Sequence, residues 1–183
     1  MGGVLERADV GQTREDDVKR EYETLCAKYD KMTGARQITV DALQKYMHEG
    51  EREIIILDIR EEREHLVSTL PGAKLLVPSV GLLRMSYMTP PPASVPPNKM
   101  VVCHCTAGLR SGWAAVDLER KWKRPVYSLH GGIISWANAS GVLVTPRKGD
   151  EGEDRNNCPI TEKVHTYSAK WGRYLKAQEN AVF

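Results

Sequence analysis

Residues 100–111 read Met100-Val101-Val102-Cys103-His104-Cys105-Thr106-Ala107-Gly108-Leu109-Arg110-Ser111. The apolar run 100–103 predicts a strand. Ala107-Gly108 leaves the next few residues little side-chain bulk, as a tight loop requires. Residues 111–122 then predict a helix, with Ala114, Ala115, Leu118 and Trp122 on one face. Strand, tight loop and helix in that order form the repeating unit of an α/β fold, in which sites gather where loops leave the carboxyl ends of strands.

The same unit recurs on both sides. Residues 54–59 read as a strand whose apolar run, Ile54 to Leu57, does not alternate before it ends at Asp58-Ile59-Arg60, which suits a central parallel strand covered on both faces. A helix of about ten residues is expected next, with glutamates at its start where the dipole favours them, ending at Pro71-Gly72. Residues 74–77 read as a strand and 80–87 as a short helix. Thr89 to Pro97 holds five prolines, the composition of a stiff surface connection. Residues 126–129 give another strand, and Gly131-Gly132 turns into a helix carrying Trp136. Upstream, 37–40 is a short strand, followed by a helix that Asp41 caps and Gly50 stops. The alternation predicts an α/β fold, a three-layer α/β/α sandwich around a mainly parallel five-stranded sheet.

The chain divides accordingly. Residues 1–34 form an N-terminal extension, loose to residue 14 and then helical, with Thr13 as its cap and Val18, Tyr22, Leu25 and Tyr29 on one apolar face. Residues 35–144 form the catalytic domain. Residues 145–183 form a C-terminal extension: a polar loop to Cys158, then an aromatic tail with Tyr167, Trp171 and Tyr174 that packs on the domain.

Bulk composition narrows the function. The 183 residues are 41% hydrophobic, with a formal net charge of +2. No concentrated basic run argues for nucleic acid, since Lys121-Trp122-Lys123-Arg124 is short and reads as a solvated helix end. No apolar run approaches the ~20 residues of a membrane helix. Acidic residues from Glu6 through Asp17 argue against a mitochondrial presequence, so a cytoplasmic location is expected. A reducing compartment suits a reactive thiol, and a core of this size needs no disulfides.

Among Cys26, Cys103, Cys105 and Cys158, the chemistry points to Cys105. The loop Thr106-Ala107-Gly108-Leu109 can turn successive N–H groups inward as an anion nest. The following helix adds unpaired N–H groups and a positive dipole end. Arg110 closes the ring with a cation. Such a field favours thiolate over thiol, and the thiolate is the nucleophile. Ser111 either caps the helix or hydrogen-bonds the sulfur. Asp58 and Arg60 close a neighbouring strand and serve as supports. Arg60 either pins the loop, meets an anionic substrate, or stays on the surface paired with Glu61 or Glu64. His104 should point away from Cys105 and support the backbone or core. Cys103-His104-Cys105 is too closely spaced for a zinc site, which usually separates cysteines by about two residues or more, so no metal is expected. Cys26 reads as a buried, inert thiol. Cys158 is a bystander or a resolving thiol for Cys105.

These segments resemble the rhodanese (thiosulfate sulfurtransferase) domain family over about residues 37–144. Leu57-Asp58-Ile59-Arg60-Glu61, Pro71-Gly72-Ala73, the six-residue loop from Cys105 to Arg110, Ala114-Ala115-Val116 and Leu129-His130-Gly131-Gly132-Ile133-Ile134-Ser135-Trp136 carry the likeness. Ser68-Thr69-Leu70 departs from the family's usual Gly-His-Ile before Pro-Gly-Ala. The resemblance implies a double displacement. Cys105 takes the outer sulfur of a small anionic donor such as thiosulfate, sulfite leaves, and a Cys105 persulfide passes the sulfur to cyanide, a thiol or a protein acceptor. No cofactor beyond that covalent intermediate is implied. Arg110, and Arg60 if it reaches, would steer the donor.

The fold also resembles the cell-cycle phosphatase catalytic domain, which makes a phosphatase or arsenate reductase the alternative. That signature places five residues between cysteine and arginine, whereas this chain has four, Thr106, Ala107, Gly108 and Leu109. The shorter ring has less room for a tetrahedral phosphate-sized anion, and no acid is evident to protonate a leaving alcohol. A third possibility is a non-catalytic rhodanese-like interaction module. Retention of Cys105 with Arg110 weighs against it.

Overall fold

The computed structural model describes residues 5–50, 53–81, 84–87, 98–147 and 158–183. Its elements are α1 (Leu5–Thr33), β1 (Arg36–Ile38), α2 (Val40–Glu49), β2 (Ile54–Asp58), α3 (Glu62–Val67), β3 (Lys74–Leu75), β4 (Pro78–Gly81) and β5 (Arg84–Tyr87). There follow β6 (Met100–His104), α4 (Leu109–Trp122), β7 (Tyr127–Leu129), α5 (Gly132–Asn138), β8 (Leu143–Val144), β9 (Ile160–Thr161), β10 (Val164–His165), α6 (Ala169–Gly172) and β11 (Ala181–Val182).

The central sheet has five parallel strands in the order β1-β7-β6-β2-β3. β6 and β2 lie at its middle, paired from Ile54↔Met100 to Asp58↔His104. Their unbroken apolar character follows from burial on both faces. Side chains alternate between two core layers. Val101 and Cys103 pack with Ala114, Ala115 and Leu118 of α4. Val102 and Ile56 pack with Leu43 of α2 and with Ile133 and Ile134 of α5. The result is the expected α/β sandwich.

Both extensions lie on the domain. In α1, Tyr22 and Cys26 are buried, with Val18, Leu25 and Tyr29 packed partly against the same core. From the other end of the chain, Tyr174 and Leu175 join that core. The Tyr22 and Tyr174 rings meet at 4.8 Å.

Several local expectations are corrected. The N-terminal helix starts at Leu5, so residues 5–14 are helical and Thr13 lies within the helix. No proline interrupts this stretch, and its Glu, Arg and Ala residues favour helix. The helix after β2 spans only six residues. It stops because Ser68 turns extended and Thr69 pairs with Val144 through two backbone hydrogen bonds, 2.9 and 3.0 Å. Where a helix was expected over residues 80–87, β4 and β5 form an antiparallel pair that starts at Pro78. Gly81 is a poor helix residue, and strand pairing satisfies the backbone groups around it instead. The proline-rich connection 89–97 and most of the polar loop, residues 148–157, lie outside the described residues.

Candidate functional site

Because β2 and β6 are paired in register, Asp58 and His104 reach one edge of the sheet together, and Cys105 follows directly. Residues 105–108 then cross into α4. Gly108 is the N-cap, at φ +98°, a conformation that glycine adopts without steric cost. Its N–H points back at the Cys105 sulfur, with N to Sγ 3.2 Å. The Ser111 hydroxyl lies 3.4 Å from the same sulfur and 2.9 Å from Ser128 Oγ. Ser111 is therefore the third residue of the helix, with its hydroxyl near the sulfur, and not the helix cap. Cys105 itself is 2% exposed.

The loop is held from behind by α5. Ile133 N–H donates to the Cys105 carbonyl at 2.8 Å, and Ile134 N–H to the Thr106 carbonyl at 3.3 Å. Gly132 makes this approach possible. A Cβ there would lie 2.3 Å from the Cys105 carbonyl oxygen, and its φ is +55°. The glycine pair of the sequence motif thus serves the cysteine loop rather than its own turn alone.

Arg110 is paired at the end of the loop. Its Nη1 and Nη2 donate to Glu64 Oε2 and Oε1 at 2.8 and 2.7 Å, and Nη2 also reaches Thr106 Oγ1 at 2.8 Å. Glu64 is fully buried at the start of α3 and also accepts from Thr106 Oγ1 and from the Glu61 N–H. Burial pushes the Glu64 carboxyl up, but the bonds and charge of Arg110 more than offset this and hold it below the usual carboxylate range. The Tyr167 ring covers Arg110 from outside, 5.4 Å from guanidinium to ring centroid.

Asp58 and Arg60 build a second buried ion pair, and Arg60 is 1% exposed. Arg60 Nη2 and Nε donate to Asp58 at 2.7 and 2.9 Å, and Nη2 also to the Ser68 carbonyl at 2.5 Å. Neither a surface pairing with Glu61 or Glu64 nor a direct grip on the 105–110 loop is found. Asp58 also meets His65 Nδ1 at 2.9 Å and accepts from Thr69 Oγ1 at 2.8 Å. Burial opposes its charge, yet Arg60 and the surrounding donors keep its carboxyl well below the ordinary range. His104 sits on the face away from α4, with Nε2 3.2 Å from Thr69 Oγ1. Burial lowers its pKa to about 4 despite nearby Asp58.

All four cysteines are free. Cys26 lies under the loop, its sulfur 4.0 Å from the Ala107 carbonyl, and burial pushes its thiol up to about 12. Among the described residues no group of three or more His, Cys, Asp or Glu could hold a metal ion, and no helix is long and apolar enough to cross a membrane.

Residues 39–139 match the model of the rhodanese-like domain. The chain belongs to the rhodanese-like family. A sulfurtransferase of Allochromatium vinosum is 29% identical over 110 residues, covering 60% of this chain and 95% of that protein. The structure of a thiosulfate sulfurtransferase from Pseudomonas aeruginosa superposes with a TM-score of 0.50 at 18% identity, over 73% of this chain and 25% of that one. A protein of unknown function from Rhodopseudomonas palustris, described as a possible tyrosine phosphatase, gives a TM-score of 0.49 at 22% identity over 66% of this chain and 91% of that one.

In this rhodanese-like domain, Cys105 opens onto a cavity of about 350 Å³. Its lining includes the loop residues Thr106, Ala107, Leu109 and Arg110 and the aromatic residues Tyr29, Tyr167 and Trp171. Sequence reading passed over those three aromatics, Glu64 and Ser128 as site residues. Only the aromatic tail itself gave a signal, because nothing in the local pattern tells where a terminal extension docks.

Proposed function

We propose that this protein is a sulfurtransferase and that Cys105 carries the sulfur. The observation that carries the reading is the convergence of the Gly108 N–H and the Ser111 hydroxyl on Cys105 Sγ, at the end of a central strand and beside an accessible cavity. Donors aimed at sulfur stabilise the negative charge that transfer leaves on an anionic persulfide. The thiolate attacks the outer sulfur of a donor such as thiosulfate. The S–S bond of the donor breaks, its electron pair leaves with sulfite, and Cys105–S–S⁻ remains. Cyanide, a thiolate or a protein acceptor then takes the outer sulfur and restores the thiolate. No proton or external redox partner is needed.

The phosphatase reading is disfavoured by Arg110. A phosphate-binding arginine needs its two-pronged face free for two phosphate oxygens. Here that face is committed to Glu64. The test is a thiosulfate:cyanide assay on wild type and Cys105→Ser. Thiocyanate formation by wild type and not by the variant is expected. Equal rates in the two, or aryl phosphate cleavage by wild type alone, would overturn the reading.

A further inference from the structure

Two fully buried hydroxyls, of Ser128 and Ser111, lead in turn to the Cys105 sulfur. Ser128 lies in β7, which is paired on both sides and sets Ser128 in register with Gln37 of β1 and Cys103 of β6. Side chains in register on neighbouring strands share a face of the sheet. Here that face packs on α4, where Cys103 joins Ala114, Ala115 and Leu118. An apolar side chain would suit the layer, and a hydroxyl there costs free energy unless it is hydrogen-bonded. Among the described residues the only partner of Ser128 Oγ is Ser111 Oγ, at 2.9 Å.

The supply of protons sets the direction of that bond. Each hydroxyl has a single proton to give. Ser111 Oγ has three acceptors in reach, Cys105 Sγ at 3.4 Å, the Gly108 carbonyl at 3.1 Å and Ser128 Oγ at 2.9 Å. If Ser111 donated to Ser128, the Ser128 proton would be buried without an acceptor, at the full cost of a desolvated donor. Ser128 therefore donates to Ser111, and Ser111 keeps its proton for the other two acceptors. The Gly108 carbonyl already accepts the Gly112 N–H at 2.9 Å, in the first turn of α4. An anionic sulfur is the stronger acceptor, so negative charge on Sγ draws the Ser111 proton to it.

We propose that Ser128 is a positioning residue, which orients the Ser111 proton toward Cys105 Sγ and so speeds the discharge of sulfur to an acceptor. The inference rests on the sulfur-transfer reading above. The two half-reactions make opposite demands on Sγ. In loading, Sγ attacks, and its negative charge moves out into the new S–S bond. In discharge, cyanide attacks the outer sulfur of Cys105–S–S⁻, the bond to Sγ breaks, and its electron pair returns to Sγ. Thiocyanate and the Cys105 thiolate result, with atoms and charge equal on both sides. Donors aimed at Sγ stabilise the charge that builds there, so they speed discharge and not loading. Each bond of the chain from Ser128 through Ser111 to Sγ strengthens the next.

Single-turnover kinetics on wild type, Ser128→Ala, Ser111→Ala and the double variant separate the two steps. Loading is followed by rapid-quench intact mass after mixing with thiosulfate. Discharge is followed by thiocyanate released when the preloaded persulfide meets cyanide. Ser128→Ala should slow discharge by about threefold or more, and loading by less than about twofold. Ser111→Ala should slow discharge by about tenfold or more. Because Ser128 acts only through Ser111, the double variant should discharge no slower than Ser111→Ala alone. Equal slowing of both steps in Ser128→Ala, unchanged discharge, or a double-variant effect equal to the product of the single ones would overturn this inference alone. No persulfide on wild type would overturn the sulfur-transfer reading together with it.

Discussion

Arg110 and Glu64 form a two-pronged ion pair that joins the end of the cysteine loop to α3 across 46 residues of sequence. Glu64 is fully buried, while the Arg110 side chain is 26% exposed. The carboxylate accepts four donors, so its charge is satisfied despite burial. The pair fixes the loop and at the same time neutralises the cation that the sequence offered for steering anions.

Glu64→Gln removes that charge and sets an amide N–H₂ against a guanidinium. The expected cost is about 2–4 kcal/mol of stability, read as a lower midpoint in urea at neutral pH. In the folded fraction the released Arg110 should raise thiosulfate turnover per folded molecule above that of wild type. An unchanged midpoint would show that the pair contributes nothing to the fold.

Gly132→Ala tests the backing of the loop. The new Cβ would collide with the Cys105 carbonyl at 2.3 Å, at a φ of +55°. Because backbone is the obstacle, the loop has to shift, and activity should fall at least about tenfold. A destabilisation of roughly 1–3 kcal/mol should accompany it in thermal unfolding. Wild-type turnover in this variant would mean that the contact between α5 and the loop does not position Cys105.

How far the sequence reveals this arrangement depends on the range of the interactions. Residues 54–57 and 100–103 disclose the sheet because burial on both faces leaves an unbroken apolar run. The tight Ala107-Gly108 loop discloses its place between strand and helix because the signal is local. Glu64 is hidden because its partner lies far along the chain, and a glutamate in a first helical turn is ordinary on local grounds. Tyr29 and Trp171 are hidden for the same reason, since they meet only after both termini fold over the domain. Residues 80–87 mislead because strand pairing, Val80 with Met85 and Gly81 with Arg84, overrides their local appearance.

His104 makes stability depend on pH in a direction that follows from its burial. Its pKa is lowered to about 4 in the folded protein, below the ordinary value of 6.5. Between those values the unfolded chain binds a proton that the native state does not, so stability falls as pH drops from 6.5 toward 4. His165 is also lowered by burial and acts in the same direction. Asp58 and Glu64 are held low, so they withdraw their stabilisation only in more acidic solution, as pH falls through their folded values. Melting temperature measured from pH 7 to pH 4.5 should decline, and less steeply in His104→Gln, whose side chain does not titrate. Parallel declines in the two proteins would assign the effect to other groups.

The most direct measurement is an intact-mass spectrum of the protein after exposure to thiosulfate. A gain of one sulfur, discharged by cyanide and absent in Cys105→Ser, is the predicted result. No added sulfur, or an addition that persists in Cys105→Ser, would contradict the assignment of Cys105 as the sulfur carrier.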